Sequence, residues 1–170
     1  MGLFTSKKFE TLDELLAAQI KDLYDAEHRL TEALPKMAKT AKNPELRTAF
    51  NNHLKETESQ INRLEKVFSS LGVEPERESC DAMKGLISEG EEFIDADGDP
   101  DVIDAGLIAA AQRVEHYEIA GYGSARALAK QLGKQQAVSL LQETLDEEGA
   151  ADKKLTEIAE SYVNTAAGQA

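Results

Sequence analysis

Asp22-Leu-Tyr-Asp-Ala-Glu-His-Arg-Leu30 puts a carboxylate where a helix keeps its apolar seam. Leu23, Glu27 and Leu30 are spaced by four and three, so they share one helical face. The seam continues through Leu12, Leu16, Leu34, Met37 and Ala41, which predicts a helix from about Thr11 to Ala41. Thr11 with Glu14 reads as a capping box, and Pro35 predicts a kink near residues 31–35. An isolated buried carboxylate costs several kcal/mol or takes up a proton, so Glu27 needs a partner inside the fold.

The same pattern recurs later in the chain. Glu118 lies between Val114 and Tyr122, again within the apolar stripe. The shift that carries Glu27 onto Glu118 also carries Leu54 onto Leu145, Glu56 onto Glu147 and Leu64 onto Leu155. Each half therefore reads as a helical hairpin on one plan. In the first, Asn43-Pro44 starts a second helix whose stripe runs Leu46, Phe50, Leu54, Ile61, Leu64, Phe68, Leu71, with Gly72 as its C-cap. In the second, a helix runs from about Asp101 to Leu132, with Leu107, Ala111, Tyr122, Ala125 and Leu128 inward. After Gly133, another runs from about Lys134 to Tyr162, with Leu140, Leu141, Leu155, Ile158 and Tyr162 inward. Residues 73–100, with their prolines and glycines, read as a crossover carrying a short helix near Met83–Ile94. The tail from Asn164 is small and polar and reads as frayed. The expected architecture is all-α: a single domain over 1–170, with hairpins at about 11–72 and 101–163, forming a four-helix bundle.

Composition agrees. The 170 residues include 32 Asp+Glu against 19 Lys+Arg, a net charge of −13, with 41% hydrophobic residues and few Gly or Pro. A chain this acidic repels phosphate backbones, which argues against nucleic-acid binding. No apolar run is long enough to cross a membrane, and no secretory leader is evident. Gly2 followed by Ser6 fits a myristoylation pattern only loosely. Cys80 is the sole cysteine, which suits a reducing cytoplasm. Asp95-Ala-Asp-Gly-Asp-Pro-Asp101 resembles a calcium loop, but Pro100 and Gly106 fall where such a loop needs Gly and Glu; an acidic helix start is the better reading.

Folding the hairpins aligns the inward carboxylates. Glu27 and Glu56 lie equally far from the turn at residues 41–44, and Glu118 and Glu147 equally far from Leu132-Gly133. Four glutamates, one per helix, then meet at one level, and they cannot all stay ionised without cations. Two divalent ions would neutralise them, as in di-metal carboxylate bundles. His53, three residues before Glu56, faces the same way; Glu115 precedes Glu118 by three and Glu143 precedes Glu147 by four. The repeat favours Glu147 on the last helix, whereas periodicity puts Glu148 nearer its stripe, and both stay open. Tyr24 and Tyr122 are placed to line the site, while His28 and His116 lie off the main stripes.

The segments Asp22–Glu27, His53-Leu-Lys-Glu-Thr57 and Leu140-Leu-Gln-Glu-Thr-Leu-Asp-Glu-Glu148 resemble the YciE/YciF family of ferritin-like proteins over nearly the whole chain. The resemblance implies a rubrerythrin-like bundle with an extra short helix, homodimers, and a stress-associated bacterial protein without an established activity. It also implies that Glu27, Glu56, Glu118 and Glu147 match the helix-borne metal glutamates of the wider superfamily. The superfamily places a histidine three residues after two of its glutamates; here Ser59 and Ala150 stand at those positions. The expected site is therefore Glu27, His53, Glu56, Glu115, Glu118, Glu143 and Glu147 around two ions of iron or manganese, with oxidase or peroxide-consuming chemistry as its enzymatic form. Carboxylate-rich sites suit such hard divalent ions. The alternative is a structural or interaction protein that retains the carboxylates without turnover. Nothing in the sequence indicates the symmetry of an iron-storage cage.

Overall fold

The computed structural model describes residues 7–170, so the Gly2–Ser6 pattern lies outside it. All regular structure among these residues is helical. Helix α1 spans Leu12–Thr40, α2 Pro44–Leu71, α3 Asp81–Ile94, α4 Pro100–Gln131 and α5 Gln135–Ile158. A π-helical turn over Ala159–Val163 leads into the short α6, Asn164–Ala167. The long helices α1, α2, α4 and α5 form two antiparallel hairpins, and α3 rides in the crossover against α4 and α1.

Local chemistry sets the boundaries. Thr11 and Glu14 form the reciprocal capping box. Asn43 caps α2 ahead of Pro44, and Asp99 caps α4 ahead of Pro100 in the same way. The acidic stretch is thus a helix start. Gly72 and Gly133 end their helices in the left-handed region, both at φ 69°, where a Cβ would be strained. Asp104 pins the first hairpin turn to α4 by accepting from the Lys42 and Asn43 amides. Gly106 gives the Phe93 ring room to lie on α4: a Cβ there would come within 2.3 Å of the ring.

Helix α1 contains Pro35 within one continuous span. The structure corrects several details. Leu12 is 42% exposed and Tyr162 66% exposed, so neither is inward. The π-helical turn ends the regular register of α5 before Tyr162 and carries Val163 into the core instead. The tail is helical through Ala167.

The apolar core comes in two parts. One gathers Leu30, Leu34, Phe50, Met83, Leu107, Ile108, Leu155 and Ile158. The other gathers Leu16, Ile20, Leu64, Phe68, Tyr122, Ala129 and Leu141. Each fully buried Leu, Ile or Phe contributes about 1.5–3 kcal/mol, so both parts support the bundle. Between them every long helix changes character at the same level. Glu27 on α1, His53, Thr57 and Gln60 on α2, Glu115 and Glu118 on α4, and Thr144 and Glu148 on α5 are buried and polar.

Candidate metal centre

Several side-chain atoms of this polar belt have no hydrogen-bond partner among protein groups. His53, Glu115, Glu118 and Glu148 each offer one donor atom, all within 4.8 Å of one another. His53 Nε2 lies 3.4 Å from Glu115 Oε1 and 3.8 Å from Glu148 Oε2. Both oxygens of Glu118 and both of Glu148 lack any hydrogen-bond partner, as do Glu115 Oε2, Glu27 Oε2 and His53 Nε2. Buried polar atoms are normally paired, so this many orphans at one point make the cluster a candidate site.

Glu27 is fully buried and accepts a hydrogen bond from the Tyr122 hydroxyl. Burial, and then the charge of Glu148, push its carboxyl well above the usual range, against the pull of Tyr122. Glu118 is pushed up by burial and by Glu27, Glu148 and Glu115. Glu148 is raised by burial, only partly offset by His53. Burial likewise takes Glu115 to about 8. For His53, burial lowers the pKa, but the Glu56 hydrogen bond and the charges of Glu148 and Glu27 outweigh it, so the net shift is upward. Without a cation, the belt holds protons where carboxylates normally hold charge.

The remaining expected site residues lie outside this cluster. Glu56 is exposed, and its Oε2 stands 3.3 Å from His53 Nδ1, on the far side of the imidazole from the cluster. Glu143 and Glu147 turn to Arg63, whose guanidinium donates to Glu143 at 2.8 Å and to both Glu147 oxygens at 2.9 Å. Arg63 also donates to Thr144, and Gln60 Nε2 donates to Glu147. Glu148 is fully buried whereas Glu147 is not, so the α5 residue in the cluster is the one that periodicity favoured. Sequence reasoning passed over Arg63. The available signal was its place on α2 seven residues after Glu56, on the same face. Tyr24 bonds Glu65 and packs on Phe68, away from the cluster. His28 stacks edge-on with Tyr24, and His116 is exposed and faces Asp152.

The donor set fits a hard divalent ion. Carboxylates with one imidazole are the ligands such ions take, and a cation at the centre of the four donors would satisfy the orphaned atoms and hold the carboxyls ionised. The Nδ1 contact with Glu56 fixes the ring so that Nε2 faces the cluster, as metal-bound histidines require.

Comparison with known proteins agrees with this architecture. A family model, "Domain of unknown function (DUF892)", matches residues 11–168. Protein YciF of Escherichia coli strain K12 is 47% identical over 156 residues, which is 91% of this chain and 94% of that protein. The crystal structure of the E. coli stress protein YciF superposes with a TM-score of 0.89 at 46% identity, covering 92% of this chain and 99% of that one. YcfI of Rhodopseudomonas palustris, provisionally described as a structural protein, gives a TM-score of 0.86 at 44% identity, over 90% of this chain and 98% of that one. A Xanthomonas campestris protein at 21% identity shares the fold with a TM-score of 0.73, over 94% of this chain and 98% of that one.

Proposed function

The chain belongs to the DUF892 family, and from that kinship together with its buried donors we propose that it binds divalent metal in the polar belt of the bundle. His53, Glu115, Glu118 and Glu148 are the central ligands, and Glu27 extends the set on the α1 side. Four buried carboxylates balance two divalent ions, iron or manganese, and this charge balance is why two ions suit the belt better than one. The carrying observation is the set of unpartnered carboxylate oxygens around His53.

Each side chain has a part in this reading. Glu56 accepts from the His53 Nδ1–H and orients the ring. Tyr122 donates to Glu27 and holds its carboxylate in place. Arg63 pairs with Glu143 and Glu147 one layer out and offsets part of their charge. When bound, iron or manganese would supply Lewis acidity and redox capacity toward dioxygen or peroxide. The cellular setting is that of YciF, a stress protein; pairing into homodimers and a cytoplasmic location belong to the same proposal. No helix among the described residues is long and apolar enough to cross a membrane.

Elemental analysis of protein purified without chelator or His-tag tests the reading. About two iron or manganese ions per chain are expected from the charge argument. Substituting Glu27→Ala together with Glu118→Ala is expected to bring metal below one ion per chain. Unchanged stoichiometry in that double variant would defeat the ligand assignment.

A structural role is the second reading. It is favoured by Glu56, Glu143 and Glu147 facing protein partners and not the cluster, and by the description of the R. palustris relative. On that reading the purified chain holds no stoichiometric metal and melts at the same temperature with or without chelator.

A further inference from the structure

The innermost donors of the polar belt are closed off from solvent. Glu27, Glu118 and Glu148 are fully buried, and apolar core lies on both sides of them along the bundle. A buried ion site needs an entry path. A groove of about 660 Å³ runs between the first half of α2 and the second half of α5. Glu45, Glu56 and Lys154 line it and are exposed. His53 and Glu115 also line it, and they are 6% and 3% exposed. Both belong to the donor cluster, and His53 Nε2 and Glu115 Oε2 have no hydrogen-bond partner among the described residues. The groove is thus where the surface reaches the belt, and two unpartnered donor atoms belong to side chains at its inner end.

Charge and size select what passes. Carboxylates of Glu45, Glu56, Glu115 and Glu147 line the groove against one ammonium, that of Lys154. Arg63 offsets part of the Glu147 charge, and the lining stays acidic without it. The chain as a whole carries −13. Such a field draws in cations and turns anions away. A small divalent ion such as Mg²⁺ parts with its water reluctantly. An ion with six waters takes roughly 200 Å³ at about 30 Å³ per water, so the groove admits it with its hydration shell intact. Glu45 precedes His53 by eight residues, about 12 Å along the helix. Glu56 stands beside His53, its Oε2 3.3 Å from Nδ1. Carboxylates therefore mark the α2 wall from the outer end of the groove to the belt.

We propose that this groove is the entry path by which hydrated divalent cations reach the belt, with Glu45 and Glu56 drawing the ion in and Glu115 and His53 taking it from them. The inference rests on the metal reading of the belt. It adds that the charge of the groove sets the rate of loading, while the buried donors set how many ions are held.

Stopped-flow mixing of Co²⁺ with the full metal-free chain tests it. A metallochromic indicator for free ion gives both the association rate and the ions bound at equilibrium. Thr48→Trp together with Ala151→Trp places an indole on each wall of the groove. Association is expected to slow roughly tenfold or more in that variant, with ions per chain unchanged. Glu45→Lys is expected to slow association about threefold and Lys154→Glu to speed it about as much, and both differences should shrink at high salt. Glu45 and Lys154 are exposed, so these charge variants keep the test decisive whatever the tryptophans do to folding. Circular dichroism checks every variant. An unchanged rate in the folded double-tryptophan variant overturns the path, as do charge variants that load at the wild-type rate in low salt. So does a double-tryptophan variant that holds fewer ions at equilibrium, which would make the groove part of the site and not the way to it. A wild-type chain that takes up no Co²⁺ defeats the metal centre and the path together. Full uptake at a rate that none of the variants changes defeats the path alone.

Discussion

Asp25 and Glu27 are two residues apart on α1, both buried, and their surroundings are opposite. Asp25 receives the Cys80 backbone amide at 2.9 Å, Arg29 Nε at 2.5 Å and Arg77 Nε at 3.0 Å. Burial alone would raise its carboxyl, but these donors overcome it and hold the pKa below the usual value. Glu27 has one donor, Tyr122, and anionic neighbours, and it is pushed up. Asp25 faces the crossover and anchors the start of α3, which Cys80 caps. Glu27 faces the belt. Asp25 has the donors of a carboxylate that holds a fold together; Glu27, a ligand in the proposed metal site, has one.

The largest expected effect is the pH response that follows from this contrast. An unfolded glutamate ionises near its ordinary value of 4.5, and folded Glu115 at about 8. Between those values the unfolded chain has lost the proton and the folded chain keeps it. Metal-free stability therefore falls as pH rises through that window, by about 1.4 kcal/mol for each unit of displacement per group. Glu27, Glu118 and Glu148 act in the same direction, as does His53, whose raised pKa gives stability that is lost as pH rises. Asp25 acts at the other end: its contribution is present above its unfolded pKa and lost as pH falls through the folded one. Urea midpoints of chelator-treated protein are expected to be higher near pH 5 than near pH 8, with a fall again at strongly acid pH. Excess Mn²⁺ near pH 8 should restore the loss, by about 4 kcal/mol at a thousand times the dissociation constant. A metal-free midpoint that stays level from pH 5 to 8 would contradict the buried-proton account of the belt.

Asp25→Ala breaks the satisfied member of the pair. It strands the Cys80 amide in the interior, while Arg29 and Arg77 are exposed enough to turn to water. A loss of about 2–3 kcal/mol is expected, the scale of a buried charge-assisted hydrogen-bond set with solvent-accessible partners. Metal binding should persist in this variant, because none of the belt donors touches Asp25. Loss of metal at unchanged fold would mean that the two carboxylates are one unit.

How much of this contrast the chain announces depends on period. The hairpins, crossover helix and caps are legible because amphipathic spacing and cap residues are local signals, and the repeat ties the hairpins together. Glu27 and Glu118 are legible because each replaces an apolar residue in a stripe. Glu148 was obscured because the repeat matches Glu56 with Glu147, while 100° of rotation per residue sends Glu147 out to Arg63 and Glu148 inward. Asp25 stands off the apolar stripe of α1, so spacing does not mark it as buried. Its burial comes from the crossover, whose path over α1 has no periodic signature. Tyr162 failed for a local reason, since the π-helical turn shifts the face of everything after Ile158.

The smallest expected effect sharpens the same comparison at its weak point. Tyr122 is the single donor to Glu27, and its hydrogen bond works against burial to lower the Glu27 pKa. Tyr122→Phe removes that donor and little volume. Near pH 5 the loss in the metal-free protein is expected to be about 1 kcal/mol, the low end for leaving a buried acceptor unpaired. With Glu27 more reluctant to ionise, the fall in metal-free stability should move to higher pH, and Mn²⁺ should bind more weakly at neutral pH because its ligand must first lose a proton. Tyr24→Phe is the matched control: that hydroxyl bonds Glu65, away from the belt, so it should leave both the pH profile and Mn²⁺ affinity unchanged. If the two variants behave alike, Glu27 is not held by Tyr122 in the way that separates it from Asp25, and its high pKa comes from burial and like charge alone.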